Sequence, residues 1–225
     1  MPHNRTQISR VTRSKAVAKA SYDRMSKWYD VIAGSSEWKF VKAGLNLLNV
    51  TEGETVLEIG YGTGKSVVVL ARTVGETGRV YGVDLSEGMY KIASDRVRQA
   101  GVLERVDLKC GDATKLPFET NSFDAIFSSF TLELFDTPEI PTVLRECHRV
   151  LRSPGRIVIV SMSKKAKDSL AVKLYEWAHN TIPNYVDCRP IYVAEAMADS
   201  GFKVVERIEM KMWGLPVDAV LGKKA

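Results

Sequence analysis

Cysteine is scarce: three in 225 residues, Cys110, Cys147 and Cys188, odd in number, far apart and never in a C-x-x-C pair. That pattern argues against a disulfide framework and a cysteine-ligated zinc site, and it fits a reducing cytosol. Histidine is equally sparse, with His3, His148 and His179 alone, so no metal centre is expected. Long apolar runs are missing too. The longest covers residues 67–71, far below the roughly 20 residues of a membrane-spanning helix. No apolar stretch near the start has the character of a secretory signal. Internal repeats and low-complexity segments are absent. Apolar residues at 45% and charged residues at 26% are ordinary globular values, which removes disordered and fibrous classes.

Most of the chain also lacks net charge. Residues 1–27 hold seven bases (Arg5, Arg10, Arg13, Lys15, Lys19, Arg24, Lys27) and one acid, Asp23, a local +6. The remaining residues hold 25 bases against 26 acids. A body without a basic stripe is a poor match for nucleic acid. In the basic segment, Ile8, Val11, Ala18, Tyr22, Met25 and Tyr29 recur at helical spacings, and Lys15 alone breaks the stripe. The pattern predicts an amphipathic helix with a basic outer face. Three readings stay open: a surface helix packed on the domain, an interfacial helix attracted to anionic lipid, and an organelle-targeting peptide.

What is present is a regular alternation of strand and helix. Short apolar runs at 55–60, 79–84, 106–110, 123–129 and 156–161 read as buried strands. Helical patterns at 64–74, 87–100 and 138–151 separate them, the second stopped by Gly101 and the third by Pro154-Gly155. Such spacing implies right-handed crossovers and a parallel sheet. Phe202, Val204, Ile208, Met210 and Met212 then alternate, and 217–221 offers one more strand, which suggests an antiparallel pair at one edge. The predicted fold is α/β: a doubly wound, mostly parallel, seven-stranded Rossmann-like sheet with an antiparallel edge hairpin. N-terminal helices over 1–50 belong to the same domain as 51–225.

The richest chemistry lies in the loop Glu58-Ile59-Gly60-Tyr61-Gly62-Thr63-Gly64-Lys65-Ser66. Glycines between a strand and a helix let a ligand approach the backbone closely. A phosphate-binding G-x-x-x-x-G-K-[ST] loop requires glycine where Ile59 stands, and a dinucleotide G-x-G-x-x-G requires one where Lys65 stands. S-adenosylmethionine, without phosphates, needs only close approach and a carboxylate for its ribose. Asp84, 24 residues after Gly60 and ending the second strand, suits that task. It would serve a dinucleotide ribose equally, or act as a helix N-cap.

At this point the ordered motifs V-L-E-I-G-x-G-T-G (56–64), G-V-D-L-S (82–86), G-D-A-x-x-L-P-F (111–118), F-D-A-I-F-S-S-F (123–130) and R-V-L-R-S-P-G-R (149–156) resemble those of class I S-adenosylmethionine-dependent methyltransferases. The run Y-D-R-M-S-K-W-Y-D (22–30) is similar to the ubiquinone/menaquinone C-methyltransferase branch. The resemblance implies S-adenosyl-L-methionine as cofactor. It implies that Glu58, Gly60 and Gly62 approach the methionine part and that Asp84 takes the ribose hydroxyls. Leu85 would pack on the adenine, Asp112 accept from its amino group, and Ala113 lend a backbone amide. Ser128 would lie near the sulfonium. N-terminal helices fold over the cofactor in that branch, which would place Tyr22 at its edge, and a segment matching 164–201 shapes the acceptor pocket.

One stretch departs from the branch. Where its quinone-methylating members carry arginine and asparagine, this chain has Glu133 and Leu134. A carboxylate there suits a cationic amine or a general base, or it is simply a solvent-facing loop residue. His179, with Trp177, Tyr185 and Tyr192, either supplies a partly polar lid or packs in the core or on the surface, whereas His148 reads as structural. Glu133 and His179 are therefore the candidate catalytic residues. The expected activity is methyl transfer to a small molecule, with a quinone-like or lipid-soluble acceptor leading. An amine acceptor, or a cofactor-binding partner protein without activity, are the alternatives. The expected location is cytoplasmic, with membrane contact through the basic helix, and oligomeric state is left open.

Overall fold

The computed structural model describes residues 10–11, 14–32, 34–164 and 189–224. Two helices come first, α1 (Lys15–Ile32) and α2 (Gly34–Leu48). Then β1 (Thr55–Ile59), α3 (Lys65–Thr73), β2 (Arg79–Asp84), α4 (Glu87–Gln99), β3 (Val106–Cys110) and β4 (Phe123–Ser129) alternate as expected. The chain continues with α5 (Ile140–Val150), β5 (Leu151–Met162), α6 (Val193–Asp199), β6 (Phe202–Met212) and β7 (Leu215–Lys224).

These seven strands form one sheet in the order β3-β2-β1-β4-β5-β7-β6. The first five are parallel, with Val56 of β1 flanked by Val80 on one side and Ala125 on the other. β7 is antiparallel to both of its neighbours. The expected edge hairpin exists, but its second strand lies inside the sheet and its first forms the edge. Both are longer than their apolar runs, because backbone pairing with β5 carries β7 through Gly222 to Lys224. β5 likewise begins at Leu151, so Pro154-Gly155 lies within the strand rather than ahead of it. The Phe123–Ala125 irregularity absorbs the extra residues.

Strand alternation sends side chains to two cores. Val56, Phe127, Val158, Val160 and Val217 pack on one face with α2, α3 and α4 residues such as Phe40, Val67 and Ala93. Leu57, Ile126, Ile157, Ile159 and Val220 pack on the other with Leu144 of α5 and Met197 of α6. Packing rather than capping holds α5 in place. Its N-cap residue Glu139 makes no side-chain cap hydrogen bond, while Val143, Leu144, Cys147 and Val150 are buried, the two valines and the leucine each contributing about 1.5–3 kcal/mol.

The amphipathic reading of the N-terminal segment needs correction at its start. Val11 precedes the helix, which begins at Lys15. Ile8, and the side chains of Met25 and Tyr29, lie outside the described residues. Among the described residues no helix is long and apolar enough to cross a membrane, and no cluster of metal-ligating side chains occurs.

Candidate cofactor cleft

Parallel strands end on one edge of the sheet, and there the loop after β1 opens into a cleft. Gly60 is left-handed, φ +71, and a Cβ on it would lie 2.1 Å from Thr131 Oγ1, so only glycine fits. Gly62 is also left-handed, φ +51, but a Cβ there would meet nothing within 4 Å. Its backbone borders open space, the cradle a ligand needs. The Gly62 N–H donates to Asp84 Oδ2 at 2.9 Å, and the Ser86 N–H donates to Oδ1 at 2.9 Å. Burial pushes the Asp84 carboxyl up from its ordinary value, opposed by these backbone donors. The helix-cap alternative for Asp84 does not hold, because Ser86 is the N-cap of α4 and accepts from the Met89 N–H at 3.1 Å.

Glu58 ends up wholly buried, although it is charged in water. Ser66 Oγ donates to its Oε1, while Oε2 has no partner. Burial pushes the carboxyl up to about 8, with the Ser66 hydrogen bond opposing. A smaller cavity beside the glycine loop is lined by Glu58, Gly60, Gly62, Lys65 and Ser66. An orphaned buried carboxyl oxygen at such a cavity is a natural acceptor for a ligand's ammonium group.

The main cleft spans about 1030 Å³ with its open mouth included. Tyr22, Gly60, Gly62, Asp84, Leu85, Asp112 and Ala113 all line it, so seven of the nine residues expected at the cofactor converge there. Asp112 Oδ1 accepts from the Thr114 N–H at 2.9 Å. Its Oδ2 accepts from Lys15 Nζ at 2.6 Å, and the same ammonium reaches Glu139 Oε1 at 2.6 Å. Burial raises the Asp112 carboxyl, but the bonds from Lys15 and Thr114 outweigh it and the net shift is down.

Lys15 thus explains the break in the apolar stripe: the position faces the acidic rim of the cleft. Other bases of the segment do the same. Arg10 makes a bidentate pair with Asp136, at 2.8 Å from Nε and 2.6 Å from Nη2, which holds that carboxyl at about 2. Lys19 pairs with Glu87 at 2.6 Å. Asp23 of α1 accepts from Ser86 Oγ at 2.6 Å and the Gly88 N–H at 2.8 Å, at the positive end of α4 where a carboxylate is favoured. The expected basic outer face is in part an inner face.

Two expected site residues, Ser128 and Glu133, fall elsewhere. Ser128 is buried in the sheet, its hydroxyl donating to Ile59 O at 3.1 Å. Of the two adjacent serines, Ser129 lines the cleft, one residue on and on the opposite face of the strand. Glu133 is fully buried and absent from the cleft wall. Its Oε1 accepts from the Met162 N–H at 3.1 Å, so it fastens the short turn after β4 to β5 instead of meeting an acceptor. His179, with Trp177 and Tyr185, lies outside the described residues. Sequence reasoning missed the apolar wall beyond the glycine loop: Phe130, Leu134 and Phe135 with Val11 and Ala18. Phe130 is itself left-handed, φ +50, an uncommon state for a bulky residue, and its ring meets Phe40 edge-on at 6.3 Å.

Residues 56–155 match the family model described as a methyltransferase domain. The demethylmenaquinone methyltransferase of Geobacillus stearothermophilus is 38% identical over 145 residues, 64% of this chain and 59% of that protein. Its counterpart in Geobacillus kaustophilus is 35% identical over 161 residues, 72% of this chain and 66% of that one. The chain thus spans about three-fifths to two-thirds of these relatives' length. Among solved structures, a SAM-dependent methyltransferase from Aquifex aeolicus superposes with a TM-score of 0.68 at 23% identity, covering 89% of this chain and 98% of that one. The [4+2]-cyclase SpnF superposes at 0.75 with 17% identity, covering 96% and 98%. At such identities the structural likeness establishes the fold.

Proposed function

We propose, from the premise that this chain carries a class I methyltransferase domain related to the quinone-methylating branch, that it binds S-adenosylmethionine and methylates a small, lipid-soluble acceptor. The observation that carries this reading is the convergence of Gly60, Gly62, Asp84 and Asp112 on one cleft that also presents the apolar side chains of Phe130, Leu134 and Phe135.

S-adenosylmethionine supplies an electrophilic methyl group on a sulfonium. The residues present fit its parts. Gly62 leaves room for close backbone approach, and Glu58 Oε2 offers an acceptor to the amino group. Asp84 keeps lone pairs for the ribose hydroxyls after accepting two backbone N–H groups, and Asp112, bonded at one oxygen by the Thr114 N–H and at the other by Lys15, keeps a further lone pair on each for the adenine amino group. Phe130, Leu134 and Phe135 exclude water from the far end of the cleft. Such a wall holds an apolar ring by burial and orients it. No triad is required of an enzyme whose work is alignment.

The amine alternative rested on Glu133, and the burial of that carboxylate against the Met162 N–H withdraws its support. The experiment is an incubation of the chain with methyl-labelled S-adenosylmethionine and a demethylated isoprenoid hydroquinone, with a cell extract in parallel. Label in the organic phase, on a ring carbon by mass spectrometry, is the expected result. Label confined to water-soluble products would remove the lipid-soluble acceptor. Absence of label, with cofactor binding measured directly, would favour a binding protein without transfer.

A further inference from the structure

The turn that joins β6 to β7 is built against its own backbone preference. Met212 and Leu215 face each other across the ladder, so Trp213 and Gly214 alone make the turn, with φ +50 and +84. Two-residue turns with both central residues left-handed favour Asn-Gly. A tryptophan in the first position is an outlier, and its indole is left mostly in solvent. It is 77% exposed, the highest value among the exposed large apolar side chains described. Residues 210–217 (MKMWGLPV) hold no acid and one base, Lys211, which is exposed. Met212 and Leu215 on either side are buried, so the strained tip stands on a firm base.

The placement of the tip adds to this. β7 is antiparallel to β5 and to β6, so β6 ends on the same edge as β1 and β4, the edge into which the cleft opens. Meanwhile the N-terminal bases Arg10, Lys15 and Lys19 are paired with carboxylates of the body. We propose that the Trp213 turn is a contact for an anionic lipid surface: the indole inserts at headgroup level while Lys211 draws on the surface charge. Tryptophan favours that interface because its ring is apolar and its N–H polar, and each base near an anionic leaflet adds attraction. One wedge and one base give weak, reversible attachment, suited to a protein that takes a water-soluble cofactor on one side and an acceptor from the bilayer on the other. That purpose rests on the lipid-soluble acceptor proposed above; the contact itself does not.

The test is co-sedimentation of the full chain, without cofactor or acceptor, with vesicles of phosphatidylcholine alone or mixed with phosphatidylglycerol. The wild-type chain is expected to partition onto the anionic vesicles. Trp213→Asn should lower that partition about fivefold or more while its melting temperature stays level or rises, because asparagine tolerates the left-handed turn. Trp213→Phe should keep most of the binding. Equal binding by wild type and Trp213→Asn, equal loss in the Asn and Phe variants, or no partition of wild type would overturn the proposal. A self-association lost in Trp213→Asn with no vesicle binding would assign the turn to a second copy instead. Failure of vesicle binding leaves methyl transfer standing, since neither cofactor nor acceptor enters the measurement.

Discussion

Glu58 sets up a pH dependence whose size and sign follow from its surroundings. In the unfolded chain its carboxyl ionises near the ordinary 4.5, whereas burial in the folded protein holds it protonated up to about 8. Between those values the folded state binds a proton that the unfolded state has released, so the stability contributed by this group is complete at low pH. It declines as pH rises through that window and is lost above about 8. At about 1.4 kcal/mol per pH unit, the span corresponds to something on the order of 5 kcal/mol. Glu58→Gln keeps an oxygen for the Ser66 hydroxyl and cannot ionise. Thermal melts of the cofactor-free protein from pH 5 to pH 9 should therefore fall more steeply for wild type than for Glu58→Gln, with the variant the more stable at pH 9. An ammonium beside Oε2 would favour the carboxylate, so cofactor binding near neutral pH should release a proton, readable as a buffer-dependent heat in calorimetry. Parallel melting profiles for the two proteins would refute the reasoning.

Other substitutions separate the parts of the cleft. Gly60→Ala forces a Cβ to 2.1 Å from Thr131 Oγ1 at a left-handed φ; it should cost at least about 1–2 kcal/mol of stability and abolish cofactor binding, seen by melting and calorimetry. Asp84→Asn removes the carboxylate proposed for the ribose and one backbone acceptor, so cofactor affinity should fall about tenfold or more with the fold retained by circular dichroism. Lys15→Met breaks two pairs with partly exposed carboxylates. Stability should shift by about 1 kcal/mol or less, while proteolysis of the N-terminal segment in the presence of cofactor increases. Glu133→Ala leaves the buried Met162 N–H without its acceptor and should cost about 1–3 kcal/mol, with little change in cofactor affinity. A large loss of affinity at unchanged stability would return Glu133 to the cleft.

The strand-helix alternation was legible because burial on both faces of β1, β4 and β5 demands continuous apolar runs, and the glycine spacing of residues 60–64 left one cofactor class standing. Six of the seven expected residues that line the cleft were legible for the same reason: they sit at fixed offsets from strand ends, whereas Tyr22 comes from α1. Ser128 failed by one position, since two adjacent serines end β4 and only pairing with Ile59 decides which face each takes. Glu133 failed because a charged residue in a loop reads as solvated, and its burial depends on the distant Met162 N–H. Lys15 left a signal, a lone base in an apolar stripe, but its partners Asp112 and Glu139 lie about a hundred residues away in sequence. Only the folded chain brings them together. The strain at Phe130 and Trp213 left no signal, because a left-handed φ is set by the strands that a residue joins.

The insertion of β7 between β5 and β6 has a consequence for how the sheet is assembled. β6 precedes β7 in the chain, yet among the described residues its only neighbour in the sheet is β7. The earlier-made strand must wait for the later one. Until then the apolar edge of β5, with Ile157, Val158, Ile159 and Val160, remains an open template for any passing strand. The hairpin is therefore expected to form as a local unit and dock whole, with the two tight-turn residues setting its register before β5 is reached. A slow or misregistered hairpin would leave the cofactor-binding half of the sheet intact and its other half prone to aggregation.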